Sequence, residues 1–158
     1  MEPEGRCHAE ASIDLSLDPQ AAWDVVMDWD RQSRWMLLTR VWATEQGGAG
    51  VGGGVAARTS VGAVGFTDDM VITHWDPPRE CTVKHLGKIV RGTGTFTITP
   101  TSTTPSEPGP GGGSRFTWAE DVVPPLGRVG VLGWAVVRPG FEWMMRISLR
   151  RLVREVAR

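Results

Sequence analysis

Three side chains that can take up or release protons, those of Asp68, His85 and Glu120, lie on segments in which polar and apolar residues alternate. Successive side chains of a β-strand point to opposite faces of a sheet, and each of the three shares its face with apolar neighbours. We therefore expect all three to point into the interior. An inward His beside a carboxylate is suited to general acid–base catalysis, of the kind that a cyclisation or a dehydration requires.

The same side chains also have a non-catalytic interpretation. An inward carboxylate is costly unless it is paired or protonated, so His85 and Glu120 would satisfy each other, or bind water and orient a ligand without chemistry. Alternation alone also allows a metal site made of His74, His85 and Asp68, but no closely spaced ligand motif supports it. We predict no metal and no other cofactor.

The segments that must position these side chains follow one another in a defined order. Residues 9–17 alternate as a half-buried strand, Asp18 and Pro19 form the N-cap and first turn of a helix, and a second short helix begins near Asp30. The glycine-rich run 47–54 is typical of a hairpin loop, since no helix follows it as a phosphate-binding loop requires. Alternation and β-branched content predict six further strands, at 37–46, 55–61, 66–75, 80–86, 88–99 and 115–123.

The end of the chain has a helical pattern. Apolar residues recur at three- and four-residue spacing from about 127 to the end. Pro139 and Gly140 should interrupt this helix, so the sequence predicts a short helix followed by a long one at about 140–157. A long amphipathic helix at the end of the chain can lie across the apolar face of a curved antiparallel sheet. Incomplete closure between the two would leave a cavity.

Length and composition predict one folded domain, residues 1–158, with ordinary hydrophobic (41%) and charged (22%) content. Residues 1–7 should be disordered, and the stretch 100–114, rich in Pro, Gly and Ser, should form a flexible loop within the sheet. The net charge of -1 predicts no nucleic-acid partner. The longest apolar run, VGVLGWAVV, is about half a membrane span, and no signal peptide is recognisable, so we expect a cytoplasmic protein without integral membrane association.

Two stretches carry a family resemblance that extends over residues 8–157. IDLSLDPQAAWDVVMDWDRQSRW resembles the first strand and the two short helices of the START-related helix-grip (SRPBCC) superfamily, and VITHWDPPREC resembles its frequent corner between two strands. The superfamily includes the polyketide cyclase/dehydrase and lipid transport proteins and the birch-pollen allergen fold. The resemblance implies an α+β helix-grip fold: a curved antiparallel sheet of six or seven strands, two short helices after the first strand, a long C-terminal helix and an internal cavity.

This fold is shared by ligand carriers, aromatase/cyclases and other classes, so it does not decide the chemistry. Our leading hypothesis is a protein that binds a lipid, polyketide or aromatic metabolite between the sheet and the long helix. The alternatives are an aromatase/cyclase-like enzyme that uses His85 and Glu120, and a protein that binds a partner through its Arg-rich C-terminal helix; the sequence also allows a homodimer. The residues expected to line the cavity are Trp23, Trp35, Trp42, Met70, Ile72, Val83, His85, Phe96, Trp118, Glu120, Phe141, Met145 and Leu149.

Overall fold

One curved antiparallel sheet covered by three helices makes up the computed structural model, which describes residues 5–101 and 112–158. The strands lie in the order β1-β7-β6-β5-β4-β3-β2, so the first strand of the chain pairs with the last. They are β1 (Cys7–Leu15), β2 (Thr39–Ala43), β3 (Gly54–Val61), β4 (Val64–Asp76), β5 (Glu80–His85), β6 (Gly92–Thr101) and β7 (Gly113–Val122). The helices are α1 (Pro19–Val26), α2 (Trp29–Trp35) and α3 (Gly127–Val156). The predicted α+β helix-grip architecture is confirmed.

Aspartate caps begin the two short helices. The carboxylate of Asp18 accepts the backbone N–H of Ala21 at 3.0 Å, and Pro19 occupies the first helical position, where its missing N–H costs nothing. The carboxylate of Asp28 caps α2 in the same way by accepting the N–H of Arg31 at 3.1 Å. These local interactions fix the residues at which the two helices begin.

The corner between β4 and β5 contains the two consecutive prolines, joined by a cis peptide bond. The N–H of Arg79 donates to the carbonyl of Asp76 at 2.7 Å, and its guanidinium donates to the carboxylate of the same residue at 2.8 and 2.9 Å. The hydrogen bonds from the guanidinium lower the pKa of Asp76. The corner is a structural turn that sets the register of β5, the strand carrying His85.

Helix α3 is continuous, although the sequence predicted two helices separated at Pro139. Proline removes one helical hydrogen bond, the one that would reach the carbonyl of Ala135. Ala135 is exposed, so water can bond to that carbonyl and the helix need not end there. The predicted break was therefore wrong.

Three strands, β1, β6 and β7, each extend further at one end than the sequence suggested. Cys7, expected to be disordered, is buried and pairs with Val122, and Thr101 pairs with Gly113 within the predicted flexible loop. Residues 1–4 and 102–111 of those two predicted segments lie outside the described residues. Among the helices that the structure describes, none combines the length and hydropathy needed to cross a membrane.

Candidate functional site

A cavity of about 580 Å³ lies between the inner face of the sheet, α2 and the first half of α3. Strands β2 to β7 all contribute side chains to its wall, and most of these are apolar. Among the described residues, the charged or titratable ones that line it are Asp68, His85 and Glu120. The predicted cavity residues that do border it are Met70, Val83, His85, Phe96, Trp118, Glu120 and Phe141.

The three titratable side chains form one hydrogen-bonded cluster. The imidazole of His85 lies between two carboxylates: its Nδ1 is 2.5 Å from Asp68 Oδ2 and its Nε2 is 2.9 Å from Glu120 Oε2. The indole N–H of Trp118 donates to the other oxygen of Glu120 at 2.8 Å. Side-chain exposure is only 7 to 10% across His85, Asp68 and Glu120. The convergence that alternation predicted is therefore present.

The cluster holds a proton on His85 well above neutral pH. Burial acts against the charged imidazolium, but the hydrogen bonds and negative charges of Asp68 and Glu120 outweigh it and raise the pKa of His85 to about 10. At pH 7 the ring is accordingly an imidazolium, with both N–H groups donated to carboxylates. It can release a proton but cannot accept one.

Two glycines of β6 let this cluster form. His85 and Glu120 stand on β5 and β7, which flank β6 and are about 10 Å apart. Gly92 pairs with His85 and Gly94 with Glu120, so the strand between them presents no side chain there. A Cβ at Gly94 would lie 2.9 Å from Glu120 Oε1. A glycine inside a strand indicates that another group approaches closely. Gly92 and Gly94 were therefore a second sequence signal for the site, one that the alternation pattern does not contain.

Asp68 is the member of the cluster with an unmet hydrogen bond. Its Oδ2 meets His85, whereas its buried Oδ1 has no hydrogen-bond partner in the described part of the protein. Oδ1 faces Gly87 in the β5–β6 loop, where a Cβ would lie 3.1 Å from it. The carboxylate is therefore positioned by packing as well as by His85, and it depends on the small residue at 87.

Six predicted wall residues do not line the cavity. Trp42 lies on the outer face of β2, because Val41 is the residue of that strand that faces inward. The other five are packed in the filled core, where Trp23 contacts Trp75 edge to face and Trp35 contacts Phe116. The prediction was wrong for Trp23, Trp35, Trp42, Ile72, Met145 and Leu149.

The first half of α3 forms a wall that the predicted residue set largely missed. Gly130, Gly133, Trp134 and Val137 line the cavity along one side of the helix. A Cβ at Gly130 would lie 1.9 Å from the carbonyl oxygen of Pro125, so this glycine allows the helix to approach the preceding segment closely. The sequence signal is the spacing of small residues in VGVLGWAVV, within the short apolar helix predicted from about residue 127.

The remaining reactive side chains lie outside the cavity. His8 and His74 are about half exposed, and a register shift in β4 after Ile72 turns His74 away from His85. Within residues 5–101 and 112–158, no group of His, Cys, Asp and Glu side chains is arranged to hold a metal ion. Burial, and to a smaller extent the charge of Glu80, raises the pKa of Cys81 to about 12, so its thiol is unreactive.

Glu155, in the Arg-rich end of α3, joins this helix to α2. Glu155 accepts hydrogen bonds from Arg31 at 3.3 Å and Arg34 at 3.4 Å, and these two contacts lower its pKa against the opposing effect of burial. Arg146 lies 3.6 Å from Glu142. Binding of a protein partner by this face, like the homodimer, stays a prediction.

Comparison with solved structures identifies the same fold elsewhere. A protein from Rhodobacter sphaeroides aligns with a TM-score of 0.68 over 95% of this chain and 91% of its own, at 14% identity. The protein XoxI from Bacillus cereus aligns with a TM-score of 0.66 over 94% of both chains, at 15% identity. At such identities the likeness concerns the fold alone.

Sequence comparison places the chain in a family. An uncharacterized protein of Mycobacterium tuberculosis, found in two strains, is 30% identical over 81 residues, which are 50% of this chain and 56% of that protein. The chain thus spans about half the length of the curated relatives it matches. The family model described as polyketide cyclase/dehydrase and lipid transport matches residues 6–157. The chain belongs to the polyketide cyclase/dehydrase and lipid transport family.

Proposed function

We propose that the protein binds a small apolar molecule in the cavity beneath the first half of α3. The observation that carries this proposal is the cavity itself: about 580 Å³, walled by apolar side chains, with one buried polar cluster. Cavities that hold small molecules in proteins span roughly 300–1,000 Å³ and combine apolar walls with a few polar groups that fix orientation. A lipid, a polyketide or an aromatic metabolite fits that description.

The charged groups at the cavity wall restrict which ligands can bind there. The cluster brings two carboxyl groups and one imidazole to the wall, and no Lys or Arg lines the cavity within the described residues. A ligand carboxylate or phosphate would be buried beside Asp68 and Glu120 without a free cation to pair with it, which is costly in an apolar site. A hydroxyl or amine could instead donate a hydrogen bond to a carboxylate. We infer that the ligand is a neutral or cationic molecule with such a donor.

Native mass spectrometry of the protein purified from its own host tests the proposal. We expect a bound molecule that is retained under gentle ionisation and lost on collisional activation. The charge inference is tested separately by titrating dodecanol, dodecylamine and dodecanoate, which share one chain length. The alcohol and the amine should bind more tightly than the acid. A protein that carries no molecule from its host and binds none of the three probes would contradict the proposal.

Acid–base catalysis in the same cavity is a second candidate function, and the position of His85 between two carboxylates favours it. Because His85 holds its proton at neutral pH, it would act as the proton donor, and Glu120 or Asp68 would accept a proton. The substitutions His85→Gln and Glu120→Gln discriminate between carrier and enzyme. An enzyme would lose turnover while retaining its affinity, whereas a carrier would lose affinity and have no turnover to lose.

A further inference from the structure

The surface around the cavity opening is apolar and exposed. We define this mouth surface as the β5–β6 loop, residues 86–91, together with residues 123–140, which include the first half of α3. Side chains of both segments also line the cavity, so the surface is continuous with it. Seven large apolar residues of the mouth surface are between 56 and 82% exposed: Leu86, Ile89, Leu126, Val129, Leu132, Val136 and Val137.

Helix α3 lacks a polar outer face in this region. A helix that covers the interior of a soluble domain usually has an apolar stripe inward and polar residues outward. Here Gly133 and Val137 line the cavity, while Leu132 and Val136, one helical turn apart, face outward at 72 and 82% exposure. Contiguous exposed apolar surface of this kind marks an interaction site.

The charges on the mouth surface all have one sign. Lys88, Arg91, Arg128 and Arg138 are exposed, and neither segment contains an acidic residue, although the whole chain has 17 basic and 18 acidic residues. Arg138 pairs with Glu142 just beyond the surface at 2.9 Å. The other three cations make no ion pair within the described residues. Arg128 and Arg138 are about 15 Å apart along the helix, on either side of the exposed apolar residues.

We propose that the mouth surface docks on an anionic lipid bilayer. Apolar side chains surrounded by cations match a membrane interface, where the side chains enter the headgroup region and the cations meet lipid phosphates. Docking would turn the opening of the cavity toward the bilayer. A ligand could then pass between lipid and cavity without crossing water; this last step rests on the proposed function, whereas docking itself does not.

Vesicle flotation tests docking without any ligand. The protein should float with vesicles of phosphatidylcholine and phosphatidylglycerol, much less with phosphatidylcholine alone, and less at high salt, which screens the cations. R128Q/R138Q should weaken binding about tenfold or more, since each cation next to an anionic surface contributes to the affinity. L132S/V136S should weaken it as well. R40Q/R58Q, which removes two exposed arginines from β2 and β3, is the charge-matched control and should bind like the wild type.

Equal flotation with both vesicle types, flotation with neither, or an equal loss in the R40Q/R58Q control would overturn docking. So would a stable dimer in sedimentation equilibrium that L132S/V136S dissociates, because the apolar surface would then be an interface between two copies. Circular dichroism melts check that each variant is folded. Ala57 lines the cavity from β3, outside the mouth surface. Ala57→Phe should therefore abolish ligand binding without affecting flotation, so failure of docking and failure of ligand binding remain distinguishable.

Discussion

The two halves of α3 face different environments, although they belong to one helix. In the second half, Met145, Leu149 and Leu152 are at most 1% exposed against the core, and Ser148 accepts the N–H of Leu37 at 2.9 Å. In the first half no residue from 127 to 144 is fully buried. The first half covers a cavity and the second half covers packed side chains.

This difference indicates that the second half of α3 mainly stabilises the fold, whereas the first half is available for binding. Buried apolar area and satisfied polar groups concentrate under the second half, which holds the helix on the sheet. The first half leaves apolar area unburied both inside, toward the cavity, and outside, toward solvent. We propose a partner for each of these faces: a small molecule on the side facing the cavity and a lipid bilayer on the side facing solvent.

The largest expected effect is at the charged cluster beneath the first half. His85→Gln leaves Asp68 and Glu120 without their shared cation, and breaking a buried ion pair costs about 3–5 kcal/mol. The pKa of His85 is raised on folding, so the stability it contributes is complete below about pH 6.5 and is lost as the pH rises toward 10. Denaturant unfolding should show the wild type approaching the variant over that range. A gap that is independent of pH would contradict the protonation assigned to His85.

Truncation within the second half should have the next largest effect. Leu149→Ala removes a side chain that is 1% exposed in a filled core, so we expect a loss of about 2–5 kcal/mol in the free energy of unfolding. Val137→Ala is the matched change in the first half, where the side chain is 58% exposed, and it should cost less than about 1 kcal/mol. Urea unfolding measures both. Equal losses would show that the two halves are packed alike.

A smaller effect is expected at β6. Gly94→Ala places a Cβ against the carboxylate of Glu120, so the carboxylate must move away from His85, at a cost of about 1–3 kcal/mol. The pKa of His85 should fall, as measured by NMR titration of the imidazole. Gly140→Ala, at a helical site with no atom within 4 Å of the added Cβ, is the control. An unchanged pKa in the Gly94 variant would show that Glu120 does not hold the proton on His85.

The sequence predicted which side chains point inward more accurately than it predicted whether those side chains pack in the core or line the cavity. Alternation correctly predicted that Asp68, His85 and Glu120 all point inward. In each of their strands the inward–outward alternation is uninterrupted up to these residues. It placed Trp35 and Leu149 on the cavity wall because periodicity distinguishes inside from outside, but not filled space from empty space. Whether an inward side chain meets a neighbour or a hollow depends on the volumes of residues distant in the sequence.

Local irregularities account for other differences. The register shift after Ile72 reverses the parity of β4, which alternation could not anticipate. Proline was expected to end a helix, but the carbonyl it leaves free is at the surface and can bond to water. Periodicity did not identify the first half of α3 as a cavity wall, because its glycines have no side chain that could be read as apolar. Their small size nevertheless brings the helix backbone to the cavity.

Side chains that fill the cavity from α3 can show whether a ligand binds beneath the first half of this helix. A Cβ at Gly133 or at Gly140 meets no atom within 4 Å, but only Gly133 lines the cavity. Gly133→Phe should therefore fill the cavity and Gly140→Phe should not, while both remove a helical glycine. In titrations with dodecanol, we predict that Gly133→Phe lowers the affinity at least tenfold and that Gly140→Phe binds like the wild type. Equal affinities for the two variants would contradict a binding site beneath the first half of α3.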